Sequence, residues 1–279
     1  MIPLDSYPKW APVLDERARR YLNSQELQAY LAIPPERRQS QLKAMLEAPI
    51  ASFTAVNEVY FRARWAEALT TLHPAGDLKL LEIASGDADC IPQAMERSHP
   101  HGSYVSANMN QALTRGLLQR TAGLSLPVRV IEDDAAALAT YLPPASLGVI
   151  AFQHGVNDVI QAILCDREGV DTIHTDWMET LPKMIAILQR EMSQDTLASH
   201  ARQPFMSLVE TLAQRLKPGG KMVMNHYMFQ LDLDWGYPPS LFDDLIPIVR
   251  SWLTGFPGCR EVFYPGFDPH WWLFLERKN

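Results

Sequence analysis

The stretch at residues 80–89 constrains the fold more than any other part of the chain. Its apolar residues surround an acid, Glu82, and are followed by small or turn-forming residues through Ala88. In open α/β sheets, ligands bind beyond the carboxyl ends of parallel strands, where loop amides and the next helix can receive polar groups. The pattern therefore predicts a buried strand that ends in a ligand-binding loop, although taken alone it fits an ordinary strand-to-helix turn equally well.

Apolar runs recur along the chain with helical stretches between them, which is typical of a doubly wound α/β sheet. The last two runs, 261–264 and 271–275, are separated by too few residues for a crossover helix, so they predict an antiparallel hairpin at the sheet edge. We therefore predict a mostly parallel, seven-stranded sheet with helices on both faces and an N-terminal helical lid. The other predicted strands lie at 104–107, 128–131, 147–152 and 222–224.

This organisation resembles the class I S-adenosylmethionine-dependent methyltransferases, a Rossmann-like family. Residues 81–88 resemble the family's first motif, an acid followed by Gly-x-Gly-x-Gly, with Ala84 and Ala88 in place of two glycines. Because alanine disfavours positive φ, we expect only Gly86 to adopt a left-handed conformation cheaply. The resemblance implies a loop that cradles the methionine part of the cofactor, with contacts from Glu82, Ala84, Ser85, Gly86 and Asp87.

Residues 105–110 resemble the second motif, in which an acid at the end of the second strand binds the ribose hydroxyls. Here Asn108 stands in place of the acid, and an amide can still accept from one hydroxyl and donate to another. The register is open by one residue, so Met109 is included among the expected cofactor contacts.

Residues 131–135 resemble the third motif, whose acid accepts a hydrogen bond from the adenine amino group while the next backbone amide contacts the ring. Asp134 followed by Ala135 fits this pattern best, and Asp133 is the alternative acid. Either aspartate could instead be a helix N-cap.

The string at 216–220, Leu-Lys-Pro-Gly-Gly, resembles the family's turn into the fifth strand, and we expect it to stop a helix and reverse the chain.

A nicotinamide-dependent dehydrogenase fits the sequence less well. Its dinucleotide fingerprint needs three glycines and an acid about 20 residues later. This chain keeps only Gly86, with Asn108 near the position of the acid.

Composition and charge limit the classes of substrate, location and metal site that fit this chain. A formal net charge of -7 argues against a nucleic-acid substrate, because phosphate contacts need a basic face. The sequence has neither a long apolar span nor a signal-peptide pattern, so we expect no membrane association and a cytoplasmic location. Cys90, Cys165 and Cys259 are widely spaced, which indicates free thiols and makes no case for a metal site.

The chain divides into a helical cap at 1–72 and a cofactor-binding domain at 73–279, with a helical insertion around 155–205. The insertion is expected to build the substrate pocket. In the cap, one helix face suggests packing more than ligand binding, although Tyr60 or Arg64 could reach the cofactor; the face comprises Phe53, Val56, Tyr60, Arg64 and Ala68. Four aromatic residues suggest either a flat acceptor or packing in the core or a homodimer: Trp235, Tyr237, Trp271 and Trp272.

The resemblance places the residues after the fourth strand opposite the transferred methyl group, so we expect Gln153 to contact the cofactor. His154 is the candidate base and Asp158 its orienting partner. His226 with Tyr227, and then His270, are the alternatives. We expect methyl transfer to a small molecule, at oxygen or nitrogen, with carbon also left open as the accepting atom. A base is needed only if a proton must leave the acceptor. The alternative is a non-catalytic protein that binds S-adenosylmethionine or its product.

Overall fold

The computed structural model describes residues 6–47, 49–51, 54–73 and 76–278. Its helices are α1 (Tyr7–Trp10), α2 (Leu14–Tyr21), α3 (Ser24–Ala32), α4 (Pro35–Met45), α5 (Ala55–Leu72), α6 (Cys90–Ser98), α7 (Gln111–Thr121), α8 (Val156–Arg167), α9 (Trp177–Ser193), α10 (Leu197–Ala213), α11 (Gln230–Asp234) and α12 (Pro239–Leu253). Its strands are β1 (Lys79–Ile83), β2 (Ser103–Ala107), β3 (Val128–Ile131), β4 (Leu147–Gln153), β5 (Leu216–Asn225), β6 (Cys259–Val262) and β7 (Trp272–Arg277). A short 3₁₀ helix spans Ala135–Thr140.

The strands form one sheet in the order β3-β2-β1-β4-β5-β7-β6. Strands β1 to β5 are parallel, and β7 runs antiparallel to both β5 and β6. This confirms the predicted mostly parallel sheet with a terminal hairpin. The chain leaves β1 toward β2 on one side and later returns to β4 on the other, so the strand order reverses between β1 and β4. Such a switch point opens a crevice at the carboxyl ends of the strands.

Helices cover both faces of the sheet, as expected for parallel strands that are apolar on both sides. One hydrophobic core lies between the sheet and α8, α9, α10 and α12. The other combines the sheet with the helices from α1 to α7. In this second core, the rings of Trp65 in α5 and Trp272 in β7 lie 5.3 Å apart. Apolar packing thus crosses residue 72, and the division into two domains there stays a prediction.

Helix α5 is buried around most of its circumference, so its buried surface extends well beyond the one face selected from the sequence. Arg62 is buried inside this core, with its guanidinium 2.7 Å from a carboxylate oxygen of Glu26 and 3.4 Å from one of Asp89. Arg64 donates to the backbone oxygen of Gly266 and lies over the ring of Phe267. Phe53 lies outside the described residues.

The string at 216–220 is part of β5 and does not reverse the chain as expected. Leu147 pairs with Leu216, but Val149 pairs with Lys221, so the string bulges out of the strand pairing. Gly219 has a φ of 74°, which suits a glycine at this bulge. Helix α10 already ends at Ala213.

The segment between α4 and α5 reaches across to the chain that follows β5. The Ile50 N–H donates to the backbone oxygen of Met228 at 2.7 Å, and the Gln230 N–H donates to that of Ile50 at 2.9 Å. No helix within the described ranges has both the length and the apolar character needed to span a lipid bilayer.

Candidate functional site

A cavity of about 1010 Å³ opens at the carboxyl ends of β1 and β2, beside the loop that follows β3. Helices α8 and α10 form its other wall, and the segment at 169–174 also lines it. The volume lies at the upper end of the range for small-molecule sites, so one nucleoside-sized ligand leaves space for a second small molecule. The cavity occupies the crevice expected at the switch point of the sheet.

The loop after β1 turns through two left-handed residues, Ala84 with a φ of 55° and Gly86 with a φ of 59°. The expectation that only Gly86 would adopt this conformation was therefore wrong. Ala84 is held there because its N–H donates to the backbone oxygen of Ala107 at 3.0 Å, which continues the pairing of β1 with β2. The left-handed alanine costs about 1–2 kcal/mol. Both residues line the cavity, with small side chains that leave the backbone accessible.

Three other residues expected in this loop point elsewhere. Ser85 pairs its hydroxyl with that of Ser106 at 2.6 Å, and Asp87 is paired with Arg120 at 3.2 Å. Glu82 is buried within the sheet, where the Tyr104 hydroxyl donates to it at 2.6 Å. Burial raises the pKa of Glu82 to about 8. None of Glu82, Ser85 and Asp87 is part of the cavity lining.

Asn108 and Met109 both line the cavity. The Asn108 amide donates to the backbone oxygen of Gly86 at 2.7 Å, so it joins the ends of β1 and β2. Asn110, which sequence reasoning did not select, also lines the cavity and caps α7 by accepting from the N–H groups of the first turn. Its amide donates to the backbone oxygen of Thr175 at 3.2 Å, which ties the segment before α9 to the end of β2.

The aspartate pair after β3 lines the cavity together with Ala135. Asp133 accepts hydrogen bonds from the Tyr141 hydroxyl and from the Asp134 N–H, both at 2.7 Å. These two donors hold the pKa of Asp133 below its usual range. Both Asp133 oxygens therefore already accept hydrogen bonds within the loop. The choice between Asp133 and Asp134 as the acid for a ligand stays a prediction.

The helical insertion contributes much of the cavity wall, and its aspartates outnumber its arginine. Asp158 and Asp166 project from α8, Asp171 follows α8, and Arg167 is the basic residue beside them. Apolar residues lie between these charged groups: Val159, Ala162, Ile163, Trp177, Pro204 and Leu208. This wall can pack a flat or apolar group and favours a positive charge over a negative one.

His154 follows β4 and is also left-handed, with a φ of 55°. Its N–H donates to the backbone oxygen of Asn225 at 3.0 Å. The His154 ring stacks on that of His226, with centroids 4.3 Å apart and planes only 5° from parallel. Phe229 and Phe242 meet the His154 ring edge-on at 5.2 and 6.0 Å. The imidazole is thus held between aromatic rings at the end of β4.

The carboxylate within ion-pair distance of His154 is Asp232, in α11, whose Oδ2 lies 3.6 Å from His154 Nε2. Sequence reasoning selected Asp158 for this role and missed Asp232, which belongs to no motif. Asp158 accepts a hydrogen bond from the Asn157 amide at 2.9 Å. Burial raises the pKa of Asp158 to about 6, with His154 opposing and Asp232 reinforcing that rise. All three groups therefore interact electrostatically.

The alternative bases lie in different surroundings. Burial holds the pKa of His226 well below its usual range, so this ring is neutral. Tyr227 packs on Phe61 with ring centroids 5.0 Å apart. His270 is on the surface, with its Nε2 3.3 Å from a carboxylate oxygen of Asp243. His226 thus belongs to the same cluster as His154, and His270 does not.

Several other residues selected from the sequence lie outside the cavity lining, and most of them are buried. Gln153 accepts a hydrogen bond from the Trp65 indole and is not among the cavity-lining residues. Trp272 is buried, and Tyr237 is buried and hydrogen-bonded to Gln161. Trp235 is exposed. Tyr60 packs on Trp10, with ring centroids 4.9 Å apart.

Within the described part of the chain, no group of three or more His, Cys, Asp or Glu side chains is arranged to hold a metal. Cys90, Cys165 and Cys259 are free thiols. Burial raises the pKa of all three thiols, which makes them poor nucleophiles and metal ligands.

No family model matches this chain, and no curated protein matches it. Similar solved structures include an S-adenosylmethionine-dependent methyltransferase from Aquifex aeolicus, which is 11% identical with a TM-score of 0.46 over 81% of this chain and 98% of that one. The CurJ carbon methyltransferase is 13% identical with a TM-score of 0.47, over 98% of this chain and 70% of that one. TrmN from Thermus thermophilus is 16% identical with a TM-score of 0.39, over 76% and 48%. At these values the similarity concerns the fold alone.

Proposed function

We propose that this protein transfers a methyl group from S-adenosylmethionine to a small-molecule acceptor. The observation that carries the proposal is the acid-lined cavity at the switch point of the sheet. Three loops with the residues expected for this cofactor meet there. They are the small loop at Ala84 and Gly86, the amide of Asn108, and the acid pair ending at Asp134.

The charge of the cavity supports this cofactor over a dinucleotide. S-adenosylmethionine carries a positive sulfonium, whereas the pyrophosphate of a nicotinamide cofactor is doubly negative. Arg167 is the arginine of the lining, against five carboxylates that would attract a cation and repel a pyrophosphate. These are Asp133, Asp134, Asp158, Asp166 and Asp171.

The residues present fit the parts of the cofactor. The backbone at Ala84 and Gly86 would hold the methionine part, Asn108 the ribose hydroxyls, and Asp134 the adenine amino group. When bound, the cofactor supplies a methyl group on a sulfonium, which is already activated for displacement. The chain then needs mainly to align the acceptor with that methyl and to exclude water.

Cavity volume and charge support a small acceptor. The cavity is bounded by α8, α10 and the segment that the Asn110–Thr175 hydrogen bond joins to the end of β2, and beside a nucleoside-sized ligand it has space for one small molecule. The net charge of -7 would oppose the approach of a nucleic acid. A protein that binds the cofactor without turnover is the alternative, and only an assay of methyl transfer separates the two.

The first test is thermal unfolding with S-adenosylhomocysteine. Binding at a hundredfold excess over Kd adds about 2.7 kcal/mol to the free energy of unfolding. For a chain of this length, that is a rise in Tm of about 4–5 °C. A rise with NAD and none with millimolar S-adenosylhomocysteine would refute the proposal.

The second test is turnover. The protein is incubated with methyl-labelled S-adenosylmethionine and a fractionated metabolite extract, with protein heated beyond unfolding as the control. We expect label to appear in a small-molecule fraction. Binding of S-adenosylhomocysteine without labelling of any fraction would favour the non-catalytic alternative.

A further inference from the structure

Asp158 differs from the other carboxylates that line the cavity. Asp133 and Asp171 each accept hydrogen bonds from their own loops. Asp166 is exposed to solvent, and Asp134 is the acid proposed to bind the adenine. Asp158 lies in the first turn of α8, is only partly accessible and lines the cavity. A carboxylate shielded from bulk water interacts with a charged ligand more strongly than an exposed one does.

No Lys, Arg or His nitrogen in the ranges that the structure describes lies within 4.0 Å of the Asp158 carboxylate. The side-chain amide of Asn157, which is neutral, donates to one of its oxygens at 2.9 Å. Arg167, the arginine of the lining, is at the opposite end of α8, about 13 Å away along the helix axis. A shielded carboxylate that is not paired with a cation is costly, and such groups concentrate at functional sites.

The titratable groups around Asp158 do not neutralise it. They are His154 after β4, Asp232 in α11 and Tyr237 after α11. His154 Nε2 lies 3.6 Å from Asp232, and the Tyr237 hydroxyl is paired with the Gln161 amide. Burial raises the pKa of Asp158 to about 6, with His154 opposing and Asp232 reinforcing that rise. Because this value is below 7, the carboxylate is ionised at neutral pH.

Asp158 lies at the junction between α8 and the loop that carries Ala84 and Gly86. Gly155 immediately precedes α8, and a Cβ added to it would lie 3.2 Å from the Cβ of Ala84. Asp158 follows within the first turn of the helix, and both Asp158 and Ala84 line the cavity. A group bound by Asp158 is therefore close to a cofactor held by this loop.

The wall beyond Asp158 is apolar. Val159, Ala162 and Ile163 follow it along α8, and Trp177 begins α9; all four line the cavity. Because residues four apart on a helix are neighbours on one face, Ala162 lies one turn from Asp158 on the same side. A ligand with one positive group and a flat apolar body matches both parts of this wall.

We infer that the methyl acceptor is a small amphipathic amine, whose protonated nitrogen pairs with Asp158 while its apolar body packs on α8 and Trp177. Asp158 is thus a specificity-determining residue for the acceptor. A protonated nitrogen has no lone pair, so it anchors the acceptor, and the methylated atom is another nucleophile of the same molecule. This inference rests on the proposed function.

The first test uses the product of the labelling assay. The small molecule that receives label from methyl-labelled S-adenosylmethionine is passed over a cation exchanger at pH 7. We expect it to be retained, because the anchoring nitrogen keeps its charge after methylation. A labelled product that passes through the column unretained would overturn the inference.

The second test measures binding by calorimetry in protein saturated with S-adenosylhomocysteine. The probes are three matched series on benzene, naphthalene and indole rings, each ring carrying in turn an aminoethyl, hydroxyethyl or carboxymethyl group. We expect aminoethyl compounds to bind about tenfold to a hundredfold more tightly than the matched alcohols, as for a hydrogen bond to a charged group. The carboxylates should bind most weakly. The affinity for amines should fall below about pH 6, where Asp158 takes up a proton, and that for alcohols should not.

Asp158→Asn should remove the preference for amines together with its pH dependence, and should leave binding of the alcohols unchanged. Asp244→Asn is the matched control, because Asp244 is exposed on α12 and lies outside the cavity lining. It removes the same charge and should change the affinity for amines by less than about twofold, since solvent screens it. The raised pKa of Asp158 means that its ionisation destabilises the folded state at pH 7, so Asp158→Asn should not lower Tm.

Equal or tighter binding of the alcohols or carboxylates, no binding of any aminoethyl compound, or an unchanged preference in Asp158→Asn would each overturn the inference. A tenfold loss of S-adenosylhomocysteine binding in Asp158→Asn would assign this residue to the cofactor, and a fall in its Tm relative to the control would assign it a structural role. The proposed function fails separately, if wild-type protein does not bind S-adenosylhomocysteine at all.

Discussion

Substitution of Gly155 by alanine tests whether the ends of β1 and β4 are too closely packed to accommodate an added Cβ. The φ of Gly155 is -95°, which alanine adopts freely, so backbone strain does not enter. The added Cβ would lie 2.8 Å from the backbone oxygen of Ile83 and 3.2 Å from the Cβ of Ala84. The first distance is too short for any real contact, and its partner is backbone at the end of a central strand. Part of the sheet must therefore move.

Overpacking of this kind costs about 1–3 kcal/mol. For a chain of this length, 1 kcal/mol corresponds to about 1.7 °C in Tm, so Gly155→Ala should lower Tm by about 2–5 °C. Because Ala84 lines the cavity, its displacement should also weaken binding of S-adenosylhomocysteine by about fivefold to tenfold, or about 1–1.4 kcal/mol. Calorimetry measures both quantities.

Gly123→Ala is the matched control, because its Cβ meets nothing within 4 Å and its φ lies outside the left-handed region. It should leave binding unchanged and alter stability by no more than a gain of about 0.4–1 kcal/mol. If Gly155→Ala were as stable as this control and bound the ligand equally well, the ends of β1 and β4 would have room for the added Cβ. The end of β4 would then not be fixed against the cavity.

Two further predictions concern the acids. Asp134→Ala should weaken S-adenosylhomocysteine binding by about 1–3 kcal/mol, since a ligand amine would lose its acceptor; if calorimetry shows this loss for Asp133→Ala instead, the assigned register is off by one residue. Burial raises the pKa of Glu82 from 4.5 to about 8, so between these values the folded state holds a proton that the unfolded state has lost. Its contribution to stability is present below about pH 4.5 and disappears as the pH rises through 8. Glu82→Gln should remove this slope from a series of Tm values against pH, and an unchanged slope would contradict the assignment.

The sheet could be predicted because its strands are apolar runs buried on both faces and separated by helices, a pattern that depends on each segment alone. The residues lining the cavity from β1, β2 and β3 were found for a similar reason, since each directly follows a strand. Asp232 could not be found this way. It lies close to His154 only in the folded structure, and no local sequence pattern encodes that contact.

Two residues that were assigned to the cofactor show the same limit of local sequence patterns. Gln153 is the last residue of β4, and its amide is turned toward Trp65, 88 positions earlier in the chain. Ala84 was expected to avoid positive φ, but pairing with Ala107 outweighs the cost of an alanine in that conformation. Both outcomes depend on tertiary partners that a motif does not specify.

The core that packs α1 to α5 on the sheet has a consequence for how the chain is made. Trp10, in the first helix, and Phe274, in the last strand, belong to the same buried cluster. The hydrogen bond from Arg64 to Gly266 closes a separation of 202 positions. A ribosome adding 5–20 residues per second needs about 10–40 s to cover that interval. During this time the early helices expose apolar faces that only the last strands can finish covering. The rate of elongation and the supply of chaperones should therefore govern the yield of folded protein.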